Sequence, residues 1–308
     1  MHQKLVRGHS ADGTQTIFTA SADPVLIYEY RKDAPGVNSE GYRDTEHSFA
    51  KPQGVFRIVV IGDSIAGGAG LSDGKSFPHV LEDLLQKNVI DRRIEVVILA
   101  RIGYAMSQEL RILKKEAGLY HPDLIIWSYC LNDPANPLYH FGNNDAAIYF
   151  SHPKSALMAY IARKLFYIRE NIVGIGKNKE YHQFLHALYK DQVRAGVEEI
   201  GRWSSDHHVP VLFYVHPVFS KYLHDFSRYP YSNIHRDLKS FAERNRLLFL
   251  DGIDAFKQYR QEDVRCKSAP GAWFDPWHPN IRGHEIVAEQ MASFIFRQQF
   301  LSKTSFQK

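Results

Sequence analysis

A chain of 308 residues with 44% hydrophobic content is long enough to bury a sizeable core, which favours one large α/β domain with additions over a small scaffold that needs staples. Its 38 basic residues are dispersed among 34 acidic ones for a formal net charge of +4, so no basic block marks a nucleic-acid surface. The two cysteines, Cys130 and Cys266, show neither C-x-x-C nor zinc-type spacing; they read as free thiols, and no structural metal is expected.

In chain order, the N-terminus Met1-His2-Gln3-Lys4-Leu5-Val6-Arg7 lacks the apolar run and cleavage site of a signal peptide. The chain as given is therefore expected in the cytoplasm, or in the periplasm or outside the cell if an export signal has been trimmed from it. No run approaches the ~20 apolar residues of a membrane span. Residues 1–54 carry few periodic signals, turn formers such as Pro35-Gly36, and the aromatics Phe18, Tyr28 and Tyr30, a pattern that predicts an extended arm packed across a domain of residues 55–308. From residue 55 onward, apolar runs at Phe56 to Ile61, Ile94 to Leu99, Leu124 to Tyr129, Val211 to Val215 and Leu247 to Leu250 alternate with helical patterns. Strands alternating with helices predict a doubly wound parallel sheet joined by right-handed crossovers.

The first strand ends on Gly62-Asp63-Ser64. Ser64 thus falls at the carboxyl edge of the sheet, where open α/β folds hold ligands. The helical pattern that follows, with Phe77, Val80, Leu81, Leu84 and Leu85, is expected to aim unpaired backbone N–H groups toward the serine. A tripeptide alone is weak evidence, because Asp and Ser at such a position also serve as ordinary helix caps. The glycines Gly62, Gly67, Gly68 and Gly70 do not make a phosphate loop: Gly67 is followed by Gly68-Ala69 where Lys and Ser or Thr are needed, and Asp63 would repel phosphate. After the second strand comes Gly103, and after the third Asn132-Asp133. A glycine lets its N–H approach a substrate oxygen closely and an Asn amide adds a side-chain donor, so with the N–H of Ser64 they make a candidate oxyanion hole.

An insertion of about residues 134–179 follows Asn132 and should overhang the site. Its helical pattern Leu157, Tyr160, Ile161, Lys164, Leu165, Ile168 reads as an amphipathic helix packed on the domain, with a lid or acyl-chain platform as the other reading. Lys154, Arg163, Lys164 and Arg169 would allow contact with anionic membranes, which nothing else indicates. A Tyr- and His-rich loop from His216 to Tyr231 follows the fourth strand. Near the end, Asp275 and His278 stand three residues apart ahead of a last apolar-periodic segment. On a short turn that spacing lets a carboxylate hold one imidazole nitrogen and leaves the other to take a proton from a hydroxyl, which Ser64 would supply. His284 is assigned to the last helix and not to a metal site; no metal or other cofactor is expected.

In this order, Gly62-Asp63-Ser64, Gly103, Asn132-Asp133 and Asp275-x-x-His278 resemble the four sequence blocks of the GDSL or SGNH hydrolase family. The resemblance covers about residues 55 to 297. Upstream, Tyr28-Glu29-Tyr30, Asn38, Gly41-Tyr42-Arg43-Asp44 and Lys51-Pro52 resemble the leader of a bacterial branch of that family. Two blocks depart from the usual pattern: Ile98-Leu99-Ala100-Arg101-Ile102-Gly103 has no Asn before its Gly, and Cys130 stands where Gly-x-Asn-Asp has its Gly. The resemblance implies a three-layer α/β/α flavodoxin-like domain with a central parallel five-stranded sheet. It also implies a serine esterase with Ser64, Asp275 and His278 as catalytic residues and Ser64, Gly103 and Asn132 at the oxyanion hole. The expected substrates are small-molecule esters with short acyl or O-acetyl groups, carbohydrate esters among them. An acyltransferase using the same acyl-enzyme, a lipase or phospholipase, and a non-catalytic binding module are the alternatives, and no residue pattern sets the oligomeric state.

Overall fold

A computed structural model describes residues 17–134, 181–220, 223–267 and 275–302, together with residues 157, 161 and 165. Within them lie two short strands, β1 (Phe18–Ala20) and β2 (Tyr28–Tyr30), and five longer ones: β3 (Val55–Gly62), β4 (Arg93–Ala100), β5 (Leu124–Tyr129), β6 (Val211–Val215) and β7 (Leu248–Asp251). The helices are α1 (Phe77–Asn88), α2 (Met106–Lys115), α3 (Tyr181–His207), α4 (Ser232–Arg244), the single turns α5 (Ile253–Phe256) and α6 (Gln261–Val264), and α7 (Ile281–Arg297). A 3₁₀ turn, Ala117–Tyr120, follows α2.

The strands β3 to β7 form one parallel sheet in the order β4-β3-β5-β6-β7. Counted within the sheet this is the flavodoxin-like order 2-1-3-4-5, as expected, with its switch point between β3 and β5. Near-continuous apolar runs such as Ile58-Val59-Val60-Ile61 suit strands covered on both faces, and all four of these side chains are buried. The first connection steps to one side of β3 and the later ones to the other, so right-handed crossovers put α1 opposite α2, α3 and α4. Packing agrees: α1 lies against α7, while α2 lies against α3 and α3 against α4.

One buried element has no counterpart in the apolar pattern. Arg57 of β3 is fully buried and its Nη2 lies 2.6 Å from Oε2 of Glu95, its register partner on β4. Its Nη1 also donates to the carbonyl of Tyr120 at 2.8 Å. The ion pair and its hydrogen bonds satisfy a charge that would otherwise be costly to bury.

The edge strand β4 would leave every second N–H unpaired, and three side chains take them. Ile94 N–H donates to Gln86 Oε1 (2.9 Å), Val96 N–H to Glu82 Oε2 (2.6 Å) and Ile98 N–H to Asp44 Oδ2 (2.8 Å). The first two acceptors belong to α1 and the third to the N-terminal segment, so that segment helps to cap the sheet edge. Residues 18–30 also make a small antiparallel pair, Phe18 opposite Tyr30 and Ala20 opposite Tyr28, in a stretch expected to be merely extended. The insertion lies outside the described residues except for Leu157, Ile161 and Leu165, which are helical and exposed. Among the described residues no helix is long and apolar enough to cross a membrane.

Candidate active site

Gly62 pairs in register with Ala100 of β4 and Ser128 of β5, so the turns that follow these three strands leave the sheet at one level. They carry Ser64, Gly103 and Asn132. The glycine is required: a Cβ at position 62 would stand 2.9 Å from Ser128 Cβ and 3.1 Å from Ala66 Cβ. Past Ser64 the chain closes turns on itself, with Gly67 N–H donating to Asp63 O (3.0 Å) and Ala69 N–H to Ser64 O (2.8 Å). This corrects one expectation. The N–H of the first residue of α1, Phe77, is not left unpaired for the serine but donates to His284 Nδ1 at 3.0 Å. His284 is buried in α7, and burial lowers its pKa to about 3, so it is a neutral acceptor there.

The structure brings Ser64 together with the two residues far away in sequence. Its Oγ lies 2.8 Å from His278 Nε2, across 214 residues of chain, and His278 Nδ1 lies 2.7 Å from Asp275 Oδ2. Because the carboxylate only accepts, Nδ1 carries the imidazole proton and Nε2 is left to accept from the serine. Asp275 is itself oriented by the backbone, its Oδ1 accepting from Trp277 N–H (3.0 Å) and His278 N–H (3.1 Å). Burial works against an imidazolium at His278, but the hydrogen bond and charge of Asp275 outweigh it and hold the His278 pKa above the ordinary histidine value. Burial likewise raises the Asp275 pKa, and its hydrogen bonds and the facing imidazole bring it below the usual carboxylate range.

Asp63 is fully buried beneath Ser64. Its Oδ1 accepts from Ile65 N–H at 2.9 Å, the Asn132 side chain hydrogen-bonds it, and the Ser64 hydroxyl lies 3.3 Å from Oδ2, longer than the contact to His278. Burial pushes Asp63 up. Behind it are two more buried acids, Glu109 and Asp133, raised well above the carboxylate range by burial first and then by the neighbouring carboxyls. The Asn132-Asp133 turn is closed by Asp133 N–H to Cys130 O (3.0 Å) and Cys130 N–H to Asp133 Oδ2 (2.7 Å), so the Cys130 side chain is accommodated in the core as a buried free thiol. Gly103 adopts a φ of +79°, and Met106 N–H donates to Asp133 O at 3.0 Å, which ties the second turn to the third.

Sequence reasoning missed the supports of this site. Trp277, between Asp275 and His278, donates its indole N–H to His182 Nε2 at 2.9 Å; burial lowers the His182 pKa to about 3 and keeps that acceptor neutral. Nothing in the periodicity of α3 sets His182 apart from a core residue. Arg101, just before the Gly103 turn, is buried over the Tyr42 ring at 4.1 Å and donates to the carbonyl of Gly41. A groove of about 980 Å³ beside α7, lined by Tyr259, Glu289, Gln290 and Phe296, includes none of Ser64, Asp275 and His278. Among the described residues no group of three or more His, Cys, Asp or Glu side chains is arranged to hold a metal ion.

A family model described as GDSL-like Lipase/Acylhydrolase matches residues 58–291. No curated protein matches the chain. Among solved structures, LAE5, an α/β hydrolase enzyme from the metagenome of Lake Arreo, Spain, is 17% identical, covering 77% of this chain and 94% of its own, with a TM-score of 0.48. TesA is 14% identical over 78% of this chain and 97% of its own, with a TM-score of 0.48. A catalytic mutant of Axe2, an acetylxylan esterase from Geobacillus stearothermophilus, is 16% identical over 81% and 97%, with a TM-score of 0.47. The family match spans three quarters of the chain, and the chain belongs to the GDSL-like lipase/acylhydrolase family: it is an ester hydrolase of small-molecule esters.

Proposed function

We propose that this family member cleaves carboxylic esters through an acyl-enzyme on Ser64, with His278 as general base and acid and Asp275 as the group that orients it. The observation that carries the reading is the chain of contacts Ser64 Oγ to His278 Nε2 (2.8 Å) and His278 Nδ1 to Asp275 Oδ2 (2.7 Å). In the first half-reaction Ser64 Oγ attacks the ester carbonyl carbon and its proton passes to His278 Nε2. The tetrahedral intermediate then collapses, the bond to the alcohol oxygen breaks, and His278 returns the proton to the departing alcohol. Water repeats the sequence on the acyl-serine, losing its proton to His278 and releasing the acid.

The negative charge on the former carbonyl oxygen is assigned to the N–H groups of Ser64 and Gly103 and the amide of Asn132. The positive φ of Gly103 and the bond from the Asn132 side chain to Asp63 support this assignment, because each holds its donor group in one orientation. The proposed substrates are short-acyl esters, O-acetyl groups on carbohydrate among them. That part rests on the leader Tyr28-Glu29-Tyr30, Asn38 and Gly41-Tyr42-Arg43-Asp44 and its resemblance to a bacterial branch of the family. Treatment of the folded protein with a fluorophosphonate, followed by peptide mapping, is expected to place the adduct on Ser64; an unlabelled Ser64 would sink the mechanism. A series of p-nitrophenyl esters from acetate to palmitate is expected to give its highest kcat/KM at the short end, and a maximum at long chains would reject the short-acyl assignment.

A further inference from the structure

The turn that carries Gly103 is Arg101-Ile102-Gly103-Tyr104, closed by Tyr104 N–H donating to Arg101 O at 3.2 Å. With Gly103 at the third position and a φ of +79°, it has the form of a type II turn. Types I and II differ by a half-rotation of the central peptide, here the bond joining Ile102 to Gly103. That one rigid plane holds both the Ile102 carbonyl and the Gly103 N–H, pointing in opposite directions because the peptide is trans. Whatever fixes the carbonyl therefore fixes where the N–H points.

The carbonyl is fixed by the N-terminal segment. Tyr28 Oη donates to Ile102 O at 2.7 Å, and Tyr30 Oη accepts from Ile102 N–H at 3.0 Å. The two tyrosines stand two apart on β2, share one face of it, and are both buried. Their own placement is held from the catalytic domain side: Tyr104 Oη donates to the carbonyl of Tyr28, and Gln108 Nε2 donates to the carbonyl of Leu26 at 2.7 Å.

We propose that Tyr28 and Tyr30 are positioning residues for the oxyanion hole: they grip both polar groups of Ile102 and so hold the Gly103 N–H toward the substrate oxygen. The inference rests on the assignment of Gly103 as an oxyanion donor. It gives the N-terminal segment a role in the rate of the reaction besides its role in covering the sheet edge. It also accounts for the missing Asn before Gly103, since the turn is fixed by hydroxyls from another part of the chain.

The test is steady-state hydrolysis of p-nitrophenyl acetate by the full chain carrying Tyr28→Phe, Tyr30→Phe or Tyr42→Phe. Tyr42 is the control for loss of a hydroxyl: its Oη bonds Glu116 Oε2 at 2.6 Å and not Ile102, and Phe keeps the ring that lies under Arg101. Tyr28→Phe is expected to lower kcat by about 10- to 100-fold with KM within about twofold, and Tyr30→Phe by about fivefold, since loss of orientation at a reacting centre acts on the transition state. Affinity for an alkylboronic acid, which forms a tetrahedral adduct on the serine, should fall by the same factors. Tyr42→Phe should stay within about twofold of wild type on both measures. Unchanged kcat and boronate affinity in Tyr28→Phe, with Ser64 still labelled by fluorophosphonate, would overturn the proposal. Equal losses in Tyr28→Phe and Tyr42→Phe would also overturn it, by showing that the segment only lends stability. Absence of label on wild-type Ser64 would instead overturn the acyl-enzyme reading on which it rests.

Discussion

The proposed nucleophile and its proposed base are held in different ways. Ser64, Asp63 and Asn132 are buried at the ends of strands whose register is fixed over whole lengths of sheet, and the turns beside them are tied to one another and to the N-terminal segment. Asp275 and His278 sit on a loop, with side chains 28% and 16% exposed. That loop is held by a few bonds to two other loops and to the start of α3: Phe219 N–H to Pro276 O (2.7 Å), Cys266 N–H to His278 O and Asn280 N–H to Val264 O (2.9 Å each), and the Trp277 indole to His182 (2.9 Å). The Ser64 side is thus positioned by the sheet, whereas His278 is positioned by a few local contacts. Substitutions on the two sides should differ accordingly in what they cost and in how they report it.

The comparison breaks most sharply at the reacting atoms. Ser64→Ala and His278→Ala are each expected to lower kcat/KM by about 10⁴-fold or more, with little change in melting temperature, because residues that act as a unit fail together. A variant retaining more than a tenth of the activity would reject the assigned role. Asp275→Asn comes next, at about 10³- to 10⁴-fold in kcat, since an amide no longer selects the Nδ1–H tautomer. Its pH profile adds a sign. The base must be neutral to act, so wild-type kcat/KM should rise with pH through a pKa above the ordinary histidine value. With Asp275 gone, burial is the dominant remaining influence and disfavours the imidazolium, so the acid limb of the Asp275→Asn variant should move to lower pH. A limb that moves up, or stays in place, would show that Asp275 does not set the charge of His278.

On the sheet side, Asn132→Ala is expected to lower kcat by about 10²- to 10³-fold, the cost of one oxyanion donor. KM should change little. If KM rises while kcat holds, Asn132 binds the ground state and the oxyanion assignment fails for that residue.

What could be read from the sequence follows the same division. Continuous apolar runs gave all five strands of the sheet, because a parallel strand buried on both faces writes its burial directly into composition. The meeting of Ser64, Asp275 and His278 is legible because the proposed chemistry requires particular residue types in a particular order. The supports are not. Arg57 and Glu95 sit inside strand patterns where a charged residue normally marks the surface, and only the register of β3 against β4 shows that they meet. Tyr28 and Tyr30 read as aromatics that could pin a segment down. Which backbone groups they hold depends on contacts 74 and 72 residues away. The free helix donors expected to face Ser64 are absent for a related reason: local periodicity locates the apolar face of α1 but not the partner of its first N–H, the distant His284.

The smallest effect worth measuring lies on the loop side, at His182. It is the second residue of α3 and packs edge to face on Tyr231, with ring centroids 5.0 Å apart and planes at 69°, while its Nε2 accepts the hydrogen bond of the Trp277 indole N–H. Replacing it by Phe keeps an aromatic body but leaves the indole N–H without that acceptor, whereas Gln offers a carbonyl oxygen in its place. Since the contact reaches Asp275 and His278 only through the loop between them, His182→Phe should lower kcat by about five- to tenfold, well short of losing Asp275 itself. His182→Gln should recover most of that loss. The pH at which activity rises should stay where it is in wild type, because His182 is neutral throughout the working range and its loss removes no charge from His278. A shift of that limb, or equal activities for Phe and Gln, would mean that His182 acts by packing or by charge and not by holding the indole, and the loop would then owe its position to Phe219 and Cys266 instead.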